Sequence, residues 1–320
     1  MFKDKRTILL TGLLVFLLAA NLFAGRKKEI SKSFDAKKTV RINTISGDCV
    51  VQVGDNDRID VQLIYTYTPE DNFEPIFRAK GENLYLEEDM TGSTRGNAVW
   101  TLTVPPSTRI SFSSASGDFE GESLEGRINV ETASGDIELT DCESDFRIET
   151  ASGDIHVDNS KGDFNLETAS GDVTVNDCSG NFEIDVASGD IETENCRGEF
   201  ELDAASGDIE ALNTFIEEAS SFDVASGDVY VELGESVDFD LFLSSASGRV
   251  VLDYSGNPVK GHFEFTARED RGYIKAPFPF DDEEIYERYD QDYVSKTFTL
   301  GSDSPEIVIE TSSGKAILEK

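Results

Sequence analysis

The tripeptide Ser-Gly-Asp starts at Ser116, Ser134, Ser152, Ser170, Ser188 and Ser206, an unbroken step of 18 residues, and recurs at Ser226, two residues late. A fixed short period restricts the chain to repeat architectures, in which each unit is one supersecondary element that buries its apolar side by stacking on its neighbours. The second residue after each glycine is Phe119, Ile137, Ile155, Val173, Ile191, Ile209 or Val229, and the fourth is often Leu139, Val157, Val175 or Val231. Polar residues such as Glu120, Glu138, His156 and Thr174 lie between them. That alternation marks a half-buried strand. A second apolar pair of columns follows in each unit, with Ile128, Phe146, Phe164, Phe182 and Phe200 in one and Val130, Ile148, Leu166, Ile184, Leu202 and Phe222 in the other. This is a second strand with one apolar face.

Gly126, Gly162, Gly180 and Gly198 lie nine residues after the Ser-Gly-Asp glycines, so both corners carry glycine, as turns needing positive φ would. Two strands of about five residues and two short corners make one coil of a β-solenoid, each coil adding roughly 4.8 Å along the axis. An antiparallel meander would leave the Phe and Ile columns facing water unless a second layer covered them, whereas a two-sided coil closes them on each other. The expected fold is therefore all-β, a parallel β-solenoid of 18-residue coils with irregular capping coils at both ends.

Stacking puts equal positions in register. Asp141, Asn159, Asp177, Asn195 and Asn213 form one column, suited to hydrogen bonding along the axis, beside Cys142, Ser160, Cys178, Cys196 and Thr214. Carboxylates also stack: the corner Asp residues, and Glu131, Glu149, Glu167, Asp185, Asp203 and Asp223 outside the second strand. Like charges at strand spacing repel. With 64 acidic and 28 basic residues, the formal charge is -36, which excludes nucleic acid and anionic headgroups as partners. The same acidity keeps a stack of coils soluble.

In chain order, Lys3, Lys5 and Arg6 precede an apolar run at residues 8–24, and Arg26, Lys27 and Lys28 follow it. Residues 1–29 thus read as a signal peptide or a signal anchor, and the bulk of the chain as exported to the periplasm or cell surface. Leu22 before Ala24 and Leu18 before Ala20 both disfavour cleavage, which points to an anchor, the sole expected membrane contact. Residues 30–110 read as wider, less regular coils beginning with Ser46-Gly47-Asp48 and ending at Pro105-Pro106. Residues 111–250 are the regular solenoid, and residues 251–320 are closing coils interrupted by an excursion at 266–296. Solenoids need such atypical terminal units to cover the open ends of the stack.

The early Ser46-Gly47-Asp48, the run Trp100-Thr101-Leu102-Thr103-Val104-Pro105, the recurrent Ala-Ser-Gly-Asp from Ala115 to Asp228 and the closing Ser313-Gly314 resemble the bacterial "putative adhesin" domains of unknown function, related to the head-GIN auto-transporter adhesin domains. The likeness covers about residues 34–320. It implies a right-handed parallel β-solenoid in the cell envelope and carries over no catalytic residue.

Four sets of side chains bear on chemistry. Cys178 and Cys196 share a column one coil apart, within disulfide range, although stacked Cβ vectors run parallel and oppose the required torsion. The corner column Asp118, Asp136, Asp154, Asp172, Asp190, Asp208 and Asp228 could ligate calcium, a hard cation tolerant of irregular oxygen geometry. A turn Asp more often accepts hydrogen bonds from local amides, and the repeat lacks the Gly-Gly-x-Gly-x-Asp nonapeptide of calcium-binding β-rolls. No cofactor is required. Tyr273, Phe278, Phe280, Tyr286, Tyr289 and Tyr293, around the acidic residues 281–284, could form a glycan or cation site or a lid over the last coil. A polysaccharide-cleaving β-helix would need a basic cleft, and Arg127, Arg147, Lys161 and Arg197 are scattered among carboxylates, so no enzyme is expected.

The sequence thus supports a non-catalytic, adhesin-like binding or scaffold module of the envelope, with a glycan or surface protein as partner. A structural spacer or envelope-stress sensor is the alternative.

Overall fold

The computed structural model describes residues 27–320, so the leader reading at residues 8–24 lies outside the described residues. The two strands of each repeat form two parallel sheets that face each other. One consists of four-residue strands, Phe119–Glu122, Ile137–Thr140, Ile155–Asp158, Val173–Asn176 and Ile191–Glu194. The other consists of eight-residue strands, Glu125–Thr132, Glu143–Thr150, Lys161–Thr168, Ser179–Val186 and Arg197–Ala204. The second strand is therefore longer than expected and begins before the glycine assigned to its corner. Every pairing in this stretch is parallel with an 18-residue offset, as in Phe146 on Phe164 and Ile155 on Val173.

Inward side chains of both sheets make one continuous core. Phe146, Phe164, Phe182 and Phe200 stack with ring centroids 4.6, 4.8 and 4.8 Å apart and nearly parallel planes. The interval to Phe222 widens to 5.9 Å, where the period lengthens.

One corner meets the expectation, since Gly126, Gly162, Gly180 and Gly198 take positive φ from 103° to 147°, and the other differs in a physical respect. At the Ser-Gly-Asp corner most glycines do not take positive φ; they are required because the next coil passes so close. A Cβ on Gly153 would lie 1.9 Å from the Gly135 carbonyl oxygen, and the same contact recurs along the column. The left-handed turn at the other corner is taken by Ser123, Asp141, Asn159, Asp177, Asn195 and Asn213, with φ between 47° and 58°. Asn and Asp tolerate that region because their short side chains bond locally. Here they also bond along the axis: the Asn195 amide donates to Asp177 at 3.0 Å and the Asn213 amide to Asn195 at 2.7 Å.

The ends are not built in chain order. Strands Thr39–Asn43 and Asp48–Val53 lie between Asn83–Met90 with Ala98–Val104 on one side and Arg109–Ser114 with Phe119–Glu122 on the other. Likewise Glu306–Thr311 and Lys315–Glu319 lie beneath Gly261–Arg268 and Tyr273–Lys275. The first and last coils are thus interior layers. Antiparallel strands extend the layers outside them: Arg58–Tyr65, Lys28–Asp35 and Phe73–Lys80 at one end, Gln291–Leu300 and Asp282–Arg288 at the other. An open parallel coil presents a row of unpaired amides and carbonyls. The outermost strands blunt that edge with Pro75, with three-residue brevity at Tyr273–Lys275, or with the charges of Asp282–Arg288.

Candidate functional site

The corner carboxylates form a ladder with a definite partner. Each Asp side chain accepts the backbone N–H of the Asp one coil on: Asp136 donates to Asp118 at 2.9 Å, Asp154 to Asp136 at 3.0 Å, Asp172 to Asp154 at 2.9 Å and Asp190 to Asp172 at 2.9 Å. The series continues through Asp208 and Asp228 at 2.8 and 2.7 Å. It ends where Arg249 donates its N–H to Asp228 and closes an ion pair with it at 3.0 Å. One oxygen of each carboxylate is thereby occupied in holding the next coil. Among the described residues, no three His, Cys, Asp or Glu side chains converge as a metal site.

The four cysteines are free. Cys178 and Cys196 do share a column, but no disulfide joins them: the Cys178 thiol donates to the Asn176 carbonyl at 3.1 Å and the Cys196 thiol to the Val175 carbonyl at 3.3 Å. A hydrogen bond with Cys196 and burial hold the Cys178 thiol well above its ordinary range, and burial pushes Cys142 up to about 11. Buried thiols raised in this way, Cys142 and Cys178, are poor nucleophiles, while the same hydrogen bond lowers Cys196.

Beside the Asp ladder, a groove of about 910 Å³ runs along the eight-residue-strand face. Exposed Ala151, Ala169, Ala187 and Ala205 line it together with Glu149, Glu167, Asp185, Asp203 and Asp223. Burial and then Glu183 raise the Asp185 pKa; burial and then Asp223, Asp185 and Glu201 raise that of Asp203. Burial also raises Asp223, with partial relief from the Ser244 hydroxyl that donates to it.

The aromatic excursion divides into two groups. Phe278 and Phe280 pack on Phe298, with centroids 5.6 and 5.9 Å away, and Tyr293 is buried with its hydroxyl 3.3 Å from Ser312. Phe278 and Phe280 close the end of the core, as a lid does, whereas Tyr293 lies on the other face of its strand. Tyr286 lies against Tyr293, while Tyr273 and Tyr289 point to solvent, Tyr289 with 84% of its surface exposed. Tyr289 and Asp290 form the tip of the hairpin between Asp282–Arg288 and Gln291–Leu300, at φ 55° and 56°. A two-residue turn with both φ positive favours Asn-Gly, so a tyrosine there is strained and fully presented. The six candidates therefore do not share one site.

A further cluster escaped the sequence reading. Glu88 is buried and accepts the Trp100 indole N–H at 2.9 Å and the Ile45 N–H at 2.9 Å, while the Tyr67 hydroxyl meets Ser46 at 2.9 Å. It fastens the first Ser-Gly-Asp corner to the covering strands. The only signal for it was an acidic residue in an inward-facing register position of a strand.

Residues 35–275 match the protein family described as Toastrack DUF4097. No curated protein matches the chain. Among solved structures, a "putative adhesin" from Parabacteroides distasonis is similar over 92% of this chain and 97% of its own, at 11% identity and a TM-score of 0.42. A "putative lipid binding protein" from the same organism covers 93% and 98% at 10% identity and a TM-score of 0.41. A "putative cell adhesion protein" from Clostridium sporogenes covers 92% and 99% at 12% identity and a TM-score of 0.23. Likeness at this level carries no argument about function.

Proposed function

This chain belongs to the Toastrack DUF4097 family, and on that premise we propose that it is a non-catalytic binding module of the cell envelope that contacts its partner through the C-terminal end of the rod. One observation carries the reading: on the end strands and their hairpin, Tyr273, Ile285 and Tyr289 each leave more than half of a large apolar side chain exposed. Exposed apolar groups gathered at one end of an otherwise charged surface mark an interaction site. The strained tyrosine at the hairpin tip adds to this, since such strain persists where function uses it.

The basic and apolar leader supports export and retention at the membrane through residues 8–24, which leaves the C-terminal end free to reach outward. The partner is an envelope glycan or a surface protein that meets Tyr289 at the hairpin tip, with Tyr273, on the last strand of the facing sheet, as a separate second contact. Calcium, if it takes part, would meet the solvent-facing oxygens of the Asp ladder. The test is binding of the labelled full chain to isolated cell envelopes, compared with a Tyr273→Ala, Tyr289→Ala double variant. These residues are exposed, so the fold should survive, and at least a tenfold loss of binding is expected. Unaltered binding by the variant would exclude the hairpin. Absence of binding by either chain would favour the spacer or sensor reading.

A further inference from the structure

The regular period breaks in two adjacent coils: Ser206 to Ser226 spans 20 residues and Ser226 to Ser247 spans 21. The strand register puts both insertions at the same corner. Gly198 pairs with Ile216 but Glu201 with Ser221, so the first insertion lies at residues 217–219. The second falls between Leu233 and Leu241, which align with Thr214 and Ser220. Insertions in a solenoid gather on the face that binds.

Two adjoining concavities result. One, of about 770 Å³, is walled by Glu217, Glu218, Glu235 and Phe239; the other, of about 290 Å³, lies among Glu201, Ser221, Phe242 and Val308. Glu199 lines both. The outward column of the eight-residue strands changes character at the same place. It reads Asn129, Arg147, Asn165, Glu183 and Glu201 through the regular coils, then Ser221, Phe242 and Val308. Phe239 is 41% exposed and Phe242 36%. The local cations are already engaged: Arg197 bridges Glu217 and Glu235 at 3.1 and 3.0 Å, and Lys260 pairs with Asp238. Among the described residues, Glu199, Glu201 and Glu218 make no ion pair.

We propose that this widened corner docks a short extended segment of a partner protein, in which a bulky apolar side chain is flanked by Lys or Arg. The apolar anchor sits on Phe239 and Phe242, and the flanking cations meet Glu199, Glu201 and Glu218. Charge complementarity selects this occupant: a polyanion is repelled, and a neutral sugar leaves the carboxylates unanswered. From Glu201 to Val308 the surface spans three coil spacings, roughly 14 Å, which four or five extended residues match. The surface is distinct from the hairpin tip, and neither needs the other to be occupied.

The test is fluorescence anisotropy of the full chain with a labelled heptapeptide that alternates lysine with leucine and phenylalanine. A second peptide with serine at the apolar positions serves as control. The wild-type chain is expected to bind the first peptide at least tenfold tighter than the second, and Phe239→Ser with Phe242→Ser to remove that preference. Glu199→Gln with Glu218→Gln should weaken binding and flatten its salt dependence. Glu131→Gln with Glu149→Gln, on the regular coils, should change little; circular dichroism of each variant shows whether the fold is kept. Equal affinity for the two peptides would overturn the proposal in favour of unspecific attraction to the acidic rod. Absence of binding at millimolar peptide, or Phe-dependent binding of a neutral chito-oligosaccharide instead, would overturn it as well.

Discussion

At the scale of single residues, the Ser-Gly-Asp tripeptide is a set of contacts between coils, and each member has its own test. A methyl group on Gly153 would sit 1.9 Å from a backbone oxygen, and neither coil can retreat without breaking its ladder. Gly153→Ala should cost about 3 kcal/mol, the range of overpacked cores. Gly81, at φ 58° with open space around it, provides the control: Gly81→Ala should cost about 1 kcal/mol, the penalty of a left-handed alanine alone. Urea midpoints at constant slope separate the two. The Asp makes a second prediction. Asp172→Asn keeps the oxygen that accepts the Asp190 N–H while removing one of the stacked charges, so it should be neutral or slightly stabilising. Asp172→Ala leaves that exposed amide to water and should cost about 0.5–1.5 kcal/mol, the net worth of one hydrogen bond. If Asn is as damaging as Ala, the charge and not the hydrogen bond is what the column requires.

At the scale of elements, the stacked phenylalanines hold the two sheets together. Phe164 lies 4.6 and 4.8 Å from the rings above and below. Phe164→Ala should cost about 3–5 kcal/mol, with amide exchange accelerated first in the adjoining coils. Protection lost uniformly along the rod would contradict such local coupling. The coil was legible in the sequence because period-two alternation and the 18-residue step act on one strand and its neighbour. The ends were not, because layer order there depends on partners distant in sequence: Thr39–Asn43 pairs with both Asn83–Met90 and Arg109–Ser114. The candidate site was half legible for a related reason. Spacing shows where aromatics lie along the chain, yet it cannot separate Phe278 and Phe280, which seal the core, from Tyr289 at a turn whose strain appears only in φ.

At the scale of the whole molecule, charge is unevenly placed: residues 111–250 hold 35 acidic and five basic side chains, a net -30 of the total -36. Asp185, Asp203 and Asp223 have folded-state pKa values raised by burial, and Asp185 and Asp203 further by their neighbours' charge. The folded chain therefore binds more protons than the unfolded chain above the ordinary carboxylate range, so their contribution to stability is present at low pH and is lost as pH rises through the raised values. Asp270, held low by Arg268, acts in the opposite sense but is fully exposed and screened. The melting temperature should rise as pH falls from about 6 to about 4, toward the ordinary carboxylate range, and added salt should raise it at the higher pH. A melting temperature that falls over that interval would contradict the assignment of strain to the stacked carboxylates. For function, the decisive measurement is the binding isotherm of the labelled full chain on isolated cell envelopes, with calcium titrated in and then chelated at constant ionic strength. A rod that presents its C-terminal end to a partner predicts saturable binding that Tyr273→Ala with Tyr289→Ala weakens at least tenfold, whereas no saturable binding with or without calcium would contradict the binding role.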